Sequence, residues 1–236
     1  EHSALFSTDT VLNADTVLDV LKIDLSTCCS FLEAVHGLIG VIIGVLVDTE
    51  TQYTHMWDAI GLDFFGEEGF GWKIKGQTLK NIYASYIPDP QLQEAVTARL
   101  DEYERQMVYE FIPGVPEFLK ALKEAGVPTA IVTSSNDKKM ANVYRALPQI
   151  KSLVDMILTS EHFIKSKPDP ECFLKGMELL GGTPADTVIF EDSLHGLTAA
   201  RAAKAKVVGL STTFASERIA SLCDMVIPDF TGITID

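Results

Sequence analysis

The chain has 236 residues, 47% of them hydrophobic and 22% charged, which is enough for one large domain or for a core of about 150 residues carrying an insertion. Its formal net charge of −14 argues against nucleic acid and anionic membrane surfaces as partners, because like charges repel. Four cysteines without metal-ligand spacing favour reduced thiols, and the longest apolar run, residues 37–47, is too short to span a bilayer. We therefore expect a cytoplasmic protein.

The amino-terminal half divides into three predicted stretches. Residues 1–36 carry no visible chemistry and are interpreted as an extension of unknown role. The β-branched run over residues 40–47 predicts a central parallel strand that is buried on both faces. Residues 51–111 then show a helical pattern, with a long polar helix near residues 90–110.

From residue 115 onward, predicted helices and strands alternate. This order predicts an α/β fold with a Rossmann-like, doubly wound parallel sheet covered by helices on both faces. In such sheets, ligands bind beyond the carboxyl ends of the strands. The helices are predicted over residues 115–124, 138–147, 170–180 and 196–203, and the strands over residues 129–132, 154–158, 187–190, 206–210 and 225–227.

A run of hydroxyl and amide side chains follows the strand at residues 129–132. Hydroxyl groups and free backbone N–H groups at the start of a helix can hold an anion such as phosphate. The same residues also fit a simple cap for the next helix, and the sequence leaves both interpretations open. The run consists of Thr133, Ser134, Ser135 and Asn136.

Lys167 lies in the segment Ser-Lys-Pro-Asp-Pro, directly before a predicted helix. Two nearby prolines restrict the backbone, so the ammonium group is positioned and can offset phosphate charge. The alternative is a surface lysine beside a proline at the first position of the helix.

Two adjacent acidic residues, Glu191 and Asp192, follow the strand at residues 187–190. Carboxylates at the end of a buried strand are costly unless a cation or hydrogen-bond donors compensate them. Such oxygen ligands suit Mg²⁺. The alternative is that Asp192 caps the following helix.

In this order, the three motifs resemble those of the haloacid dehalogenase superfamily, in its β-phosphoglucomutase-like branch. The resemblance covers residues 38–236 and is most specific over residues 190–196, Phe-Glu-Asp-Ser-Leu-His-Gly. It implies that Thr133 binds the transferring phosphoryl group and that Lys167 neutralises the nucleophile and the phosphate. It also implies that the acidic pair binds Mg²⁺ and that the three residues after Thr133 contact substrate.

The resemblance implies a domain division and an activity. The core would comprise residues 37–49 and 113–236, and a small α-helical cap domain would comprise residues 50–112. The ancestral activity would be Mg²⁺-dependent hydrolysis of a small phosphorylated metabolite, such as a sugar phosphate, through an aspartyl-phosphate. We expect a monomer or a weak dimer.

The cap segment Lys75-Gly76 resembles the loop that helps to choose the substrate in this branch. In the mutase, an arginine that grips a second phosphate stands where this chain has Leu79, and a cap histidine stands where it has Tyr53. His55 lies two positions away and is interpreted as a partly exposed helix residue. These departures argue against a mutase and favour a monophosphate hydrolase.

The first motif of the family, Asp-x-Asp-Gly followed by three residues and Asp, is incomplete. Gly44 and Asp48 match it, but Val41 stands at the position of the nucleophile and Ile43 at that of the general acid/base. Neither side chain can form an acyl-phosphate, transfer a proton or bind a metal. We therefore predict impaired activity and weakened Mg²⁺ affinity. Two alternatives remain: an inactive protein that binds a phosphorylated ligand or a protein partner, and a chain whose residues before Gly44 are not the natural amino terminus.

Overall fold

The computed structural model describes residues 37–40, 44–75 and 77–233. The predicted extension over residues 1–36 lies outside these ranges, as do Val41, Ile43 and Gly76. Within the described ranges, none of the helices combines the length and the apolar character needed to cross a membrane.

The strands of the described chain form one parallel sheet and one short, two-stranded antiparallel sheet. The parallel sheet has the order β5-β4-β1-β6-β7-β8, and the antiparallel sheet pairs β2 with β3. In chain order, the strands are β1 (Gly37–Gly40), β2 (Val47–Asp48), β3 (Glu110–Phe111), β4 (Thr129–Val132), β5 (Met156–Leu158), β6 (Thr187–Glu191), β7 (Lys206–Leu210) and β8 (Met225–Ile227).

Helices cover the sheet and form a separate layer before β3. The α-helices are α1 (Glu50–Ile60), α2 (Phe70–Ile74), α3 (Leu79–Tyr86), α4 (Pro90–Gln106), α5 (Val115–Glu124), α6 (Asp137–Ala146), α7 (Ile150–Leu153), α8 (Glu171–Leu180), α9 (Leu194–Ala202) and α10 (Ser216–Ile219). In α5, the spacing of the buried side chains explains the helix, because positions i, i+3, i+4 and i+7 share one face. Those side chains are Val115, Phe118, Leu119 and Leu122.

The buried hydrophobic side chains of the described residues form two clusters. The larger cluster lies between the sheet and its covering helices. The smaller one joins α1, α2, α3 and α4 and contains Trp57, Phe70 and Leu100 among its members. The α/β fold with a helical cap layer is therefore as predicted, while the proposed domain boundaries stay a prediction.

The predicted strand over residues 40–47 is wrong in its extent. Residues 44–46 form a turn and are not part of the strand, and β1 is described over Gly37–Gly40. Gly44 has a φ of +81° and donates its N–H to the carbonyl of Val47 at 3.0 Å. A left-handed glycine of this kind ends an extended run, and β2 then leaves the sheet to pair with β3. The other predicted strands are confirmed, although β5 is two residues shorter than expected.

Candidate functional site

The predicted site residues lie at the carboxyl edge of the sheet, beside β1. Gly40 is paired with Ile131 of β4 and with Phe190 of β6. Thr133 follows Ile131 by two residues, and Glu191 follows Phe190 directly. Because the three strands run parallel, both residues flank the place where the chain leaves β1. This is the edge that the sequence predicted.

Thr133 is buried, and its surroundings fix the loop before α6. Its N–H donates to the carbonyl of Leu158 on β5 at 2.9 Å, and its hydroxyl accepts the N–H of Ser135 at 3.1 Å. Ser134 is exposed. Asn136 caps α6, since its side-chain oxygen accepts a backbone N–H of the first turn at 2.9 Å. The cap interpretation is thus confirmed for Asn136, while anion binding by Thr133, Ser134 and Ser135 stays a prediction.

Lys167 is buried, with 8% of its surface exposed, so the alternative of a surface lysine is wrong. Its Nζ donates to Oε2 of Glu191 at 2.8 Å and lies 4.6 Å from the centre of the Phe173 ring. The peptide bond between Lys167 and Pro168 is cis. A charged lysine placed in this way supplies a fixed positive charge at the sheet edge.

Glu191 is held by donors on both carboxylate oxygens. Oε2 accepts from Lys167, and Oε1 accepts from the N–H groups of Asp192 and Ser193 and from the Ser193 hydroxyl at 2.8–3.1 Å. Burial acts to raise the pKa of Glu191, but the Lys167 ammonium and these hydrogen bonds outweigh it and lower the pKa. Gly196 is close, since a Cβ there would lie 2.0 Å from the carboxylate carbon of Glu191. Glu191 is therefore ionised and committed to Lys167.

Asp192 is buried beside Glu191 and has a different electrostatic character. Burial and then the charge of Glu191 raise its pKa well above the usual aspartate range. Its Oδ2 accepts a hydrogen bond from the Thr213 hydroxyl, and a Cβ on Gly44 would lie 1.8 Å from the same oxygen. The helix that follows is capped by Ser193, so the alternative of Asp192 as a cap is wrong.

Two threonines after β7 complete the site, and the sequence analysis did not identify them. Thr213 donates to Asp192, and Thr212 donates to the carbonyl of Gly44. Both contacts join segments that are distant in sequence. The available signal was their position just after Leu210, at the same carboxyl edge of the sheet.

The described donor set does not fit a firmly held Mg²⁺. This ion demands near-octahedral oxygen ligands and is usually held by one or two carboxylates with water and substrate phosphate. Both carboxylate oxygens of Glu191 already accept hydrogen bonds, and one carboxylate oxygen of Asp192 accepts a hydrogen bond from the Thr213 hydroxyl. Within the described ranges, no three Asp, Glu, His or Cys side chains cluster as metal ligands, and the sequence has no carboxylate at positions 41 or 43. The metal role of Glu191 and Asp192 stays a prediction.

A cavity of about 230 Å³ lies among the cap helices and is bordered on the core side by α6. Lys75 and Leu79, from the segment predicted to choose the substrate, line the cavity together with Tyr53. The Tyr53 hydroxyl donates to Glu104 of α4 at 2.7 Å, and His55 is exposed, as expected. Gly76 lies outside the described residues.

The described residues combine a doubly wound parallel sheet and a helical cap with a buried lysine and an acidic pair at the carboxyl edge. The model of the haloacid dehalogenase-like hydrolase family matches residues 44–210, well over half of the chain. The chain therefore belongs to that family. The match begins at Gly44, directly after the positions of the two missing aspartates.

Known relatives agree with the family and branch. The chain is 27% identical to a β-phosphoglucomutase of Mycobacterium bovis over 84% of its own length and 90% of the relative. It is 32% identical to hexitol phosphatase A of Escherichia coli over 52% and 56% of the two chains. In structure, it resembles a HAD hydrolase of family IA, variant 3, from Entamoeba histolytica with a TM-score of 0.73 and 20% identity, covering 84% and 95% of the two chains. The fold and the phosphoglucomutase-like branch are thus confirmed.

Proposed function

We propose that this chain binds a small phosphate monoester between the sheet edge and the cap layer, and that its ancestral hydrolytic activity is impaired. The observation that carries the proposal is Lys167, a buried and fixed cation beside the ends of β1, β4 and β6. A phosphoryl group is recognised by just such a fixed charge combined with hydroxyl donors, which Thr133 and Ser134 would supply.

The impairment follows from the residues that would perform the chemistry. Hydrolysis through an aspartyl-phosphate needs a carboxylate nucleophile and a group that transfers protons, and Val41 and Ile43 provide neither. Asp48 does not replace them, because it is exposed on β2, where it pairs with Glu110. Loss of such a nucleophile lowers the rate by several powers of ten.

We further propose that Mg²⁺ binds weakly. Members of the family generally use this ion, which would help to neutralise the charge of a bound phosphate. In this chain, Asp192 would be its main carboxylate ligand, because Glu191 is committed to Lys167. A calorimetric titration with Mg²⁺ should therefore show much weaker binding than a titration of a variant with aspartates restored at positions 41 and 43.

The ligand class is proposed from the relatives and from the cap. A β-phosphoglucomutase and a hexitol phosphatase among the relatives support a phosphorylated sugar or polyol as ligand. Leu79 lines the cap cavity without a charge, which favours a hydrolase ancestor over a mutase.

The main experiment compares two chains on a panel of phosphate monoesters with Mg²⁺. We expect the unmodified chain to bind esters without measurable turnover, and the Val41→Asp/Ile43→Asp double variant to gain turnover. The same double variant carrying Lys167→Met should lose both binding and turnover. Efficient hydrolysis by the unmodified chain would contradict the proposed impairment, and ester binding that ignores Lys167→Met would contradict the proposed phosphate site.

A second candidate is an inactive family member that acts by binding a phosphorylated ligand or a protein partner. The observation in its favour is the ion pair between Lys167 and Glu191, in which each charge compensates the other, so that Glu191 does not need a metal ion to offset its charge. If the double variant folds but gains no turnover, this second function is supported.

The setting of the protein completes the proposal. We propose a cytoplasmic monomer or weak dimer that acts on a small metabolite and not on nucleic acid or membranes, in keeping with the net charge of −14. Light scattering at increasing protein concentration checks the oligomeric state.

A further inference from the structure

The cavity between the cap layer and the core contains more charge than a site for a neutral alcohol needs. Its polar lining includes Glu50, Tyr53, Lys75, Gln77, Glu104 and Lys139. Lys139 was not identified by the sequence analysis. It lies on α6 of the core, whereas Lys75 approaches from the cap segment after α2.

Both lysine ammonium groups have unused hydrogen-bonding capacity. The Nζ of Lys139 lies 3.9 Å from Oε1 of Glu104, and the Nζ of Lys75 lies 3.9 Å from Oε2 of Glu50. These distances are too long for hydrogen bonds. Throughout the described part of the chain, neither Nζ donates a hydrogen bond, and each instead lies over an aromatic ring, at 4.0 Å for Lys139 and 4.6 Å for Lys75.

The burial of Lys139 makes this unused capacity significant. Only 19% of its side chain is exposed, and burial lowers its pKa despite the opposing charges of Glu104 and Glu50. Glu104 cannot turn freely toward it, because the same oxygen accepts the Tyr53 hydroxyl at 2.7 Å. An ordered ammonium group that lacks strong acceptors gains most from an anion that enters the cavity.

The cavity is linked to the sheet edge through the start of α6. Lys139, which lines the cavity, lies in the first turn of that helix, and its backbone N–H donates at 2.9 Å to the side chain of Asn136, the last residue of the polar run that follows β4. A ligand whose phosphate lies near Lys167 would therefore extend its alcohol portion toward Lys139 and Lys75.

We propose that Lys139 is a specificity-determining residue that selects phosphate esters carrying a second anionic group, a carboxylate or a phosphate, on the alcohol portion. This inference rests on the proposed function. Lys75 contributes a second donor from the opposite wall, while Leu79 contributes only apolar surface. The two nearby carboxylates, Glu50 and Glu104, offset the charges of the two partly buried lysines and so lower the cost of holding them in the cavity.

A purely structural role for Lys139 is the competing explanation. Its neighbour Lys138 also reaches across to the cap, where its Nζ lies 2.5 Å from Oδ2 of Asp101 on α4. Lys138 has 67% of its side chain exposed and does not line the cavity. It is therefore a matched control: Lys138→Met removes a cap–core ion pair on the same helix without changing the cavity.

The experiment measures ester binding to the full chain by isothermal titration calorimetry with two matched pairs of probes. Glycerol 3-phosphate and 3-phosphoglycerate differ by a carboxylate, and fructose 6-phosphate and fructose 1,6-bisphosphate differ by a phosphate. We expect the unmodified chain to prefer the more anionic member of at least one pair, and the preferred pair identifies the second group. Lys139→Met should weaken binding of that member by about tenfold to a hundredfold while changing its partner by less than about twofold.

The controls separate the possible failures. Lys139→Arg should retain most of the preference, and Lys138→Met should retain all of it, with circular dichroism confirming that each variant folds. The inference is overturned if Lys139→Met weakens both members of a pair equally, if Lys138→Met has the same effect, or if no preference exists. Absence of any ester binding, or binding that is indifferent to Lys167→Met, overturns the proposed function and this inference with it.

Discussion

Replacing Lys167 with methionine tests the buried ion pair on which the site depends. The Lys167 and Glu191 side chains are only 6% and 1% exposed, and their charged atoms are 2.8 Å apart. Methionine preserves much of the length of the side chain, but it removes the ammonium group that lies over the Phe173 ring and leaves the Glu191 carboxylate without a cation.

The expected cost follows from the surroundings of Glu191. Removing one partner of a buried pair costs about 3–5 kcal/mol in free energy of unfolding, because the remaining charge is uncompensated. Glu191 keeps its hydrogen bonds to Asp192 and Ser193, which are 2.8–3.1 Å long and share the charge. We therefore expect the lower end of that range, about 3 kcal/mol at pH 7.

Urea unfolding followed by far-ultraviolet circular dichroism measures this difference, with Lys165→Met as the control. Lys165 lies two residues away, is 67% exposed and pairs with Asp169 at 3.3 Å, so its replacement should cost less than about 1 kcal/mol. Adding Glu191→Leu to Lys167→Met should recover part of the lost stability, because it removes the stranded charge. Equal midpoints for the Lys167 and Lys165 variants would refute the reasoning, since they would mean that water compensates Glu191 in solution.

Two further predictions concern the turn at Gly44 and Asp224 at the amino end of the sheet. Gly44→Ala should destabilise the fold by at least about 2 kcal/mol, because it combines a φ of +81° with a Cβ 1.8 Å from Oδ2 of Asp192. Gly126→Ala, at a φ of +72° with open space around it, should cost only about 1 kcal/mol in the same urea assay. If both variants lost the same stability, the clash between the new Cβ at position 44 and Asp192 would have no effect. Burial acts to raise the pKa of Asp224, but a backbone N–H of β7 and the Arg201 guanidinium outweigh it and lower the pKa. Asp224→Asn should therefore cost less than about 1 kcal/mol at pH 7, and this difference should decline as the pH falls below about 4 and vanish below the lowered pKa of Asp224; a pH-independent difference would contradict the assignment.

The sequence by itself determined the sheet, the order of its motifs and the family. Short, nearly continuous apolar runs between the helices specify β4, β6 and β7, because strands that are buried on both faces are mainly apolar. The polar residues after those runs then fall at one edge, as parallel strands require. The sequence also showed the missing aspartates, since that loss is a matter of residue identity at positions 41 and 43.

The tertiary structure alone decided which of these residues touch and in which charge state. The pairing of Lys167 with Glu191 spans 24 residues, and the hydrogen bond from Thr213 to Asp192 spans 21. The split between an ionised Glu191 and an Asp192 with a raised pKa depends on burial and on these partners. Likewise, Lys139 faces the cap cavity only because α6 packs beneath α4. Local patterns record how a residue fits its own helix or strand, whereas pKa and contact depend on groups that the fold brings from elsewhere in the chain.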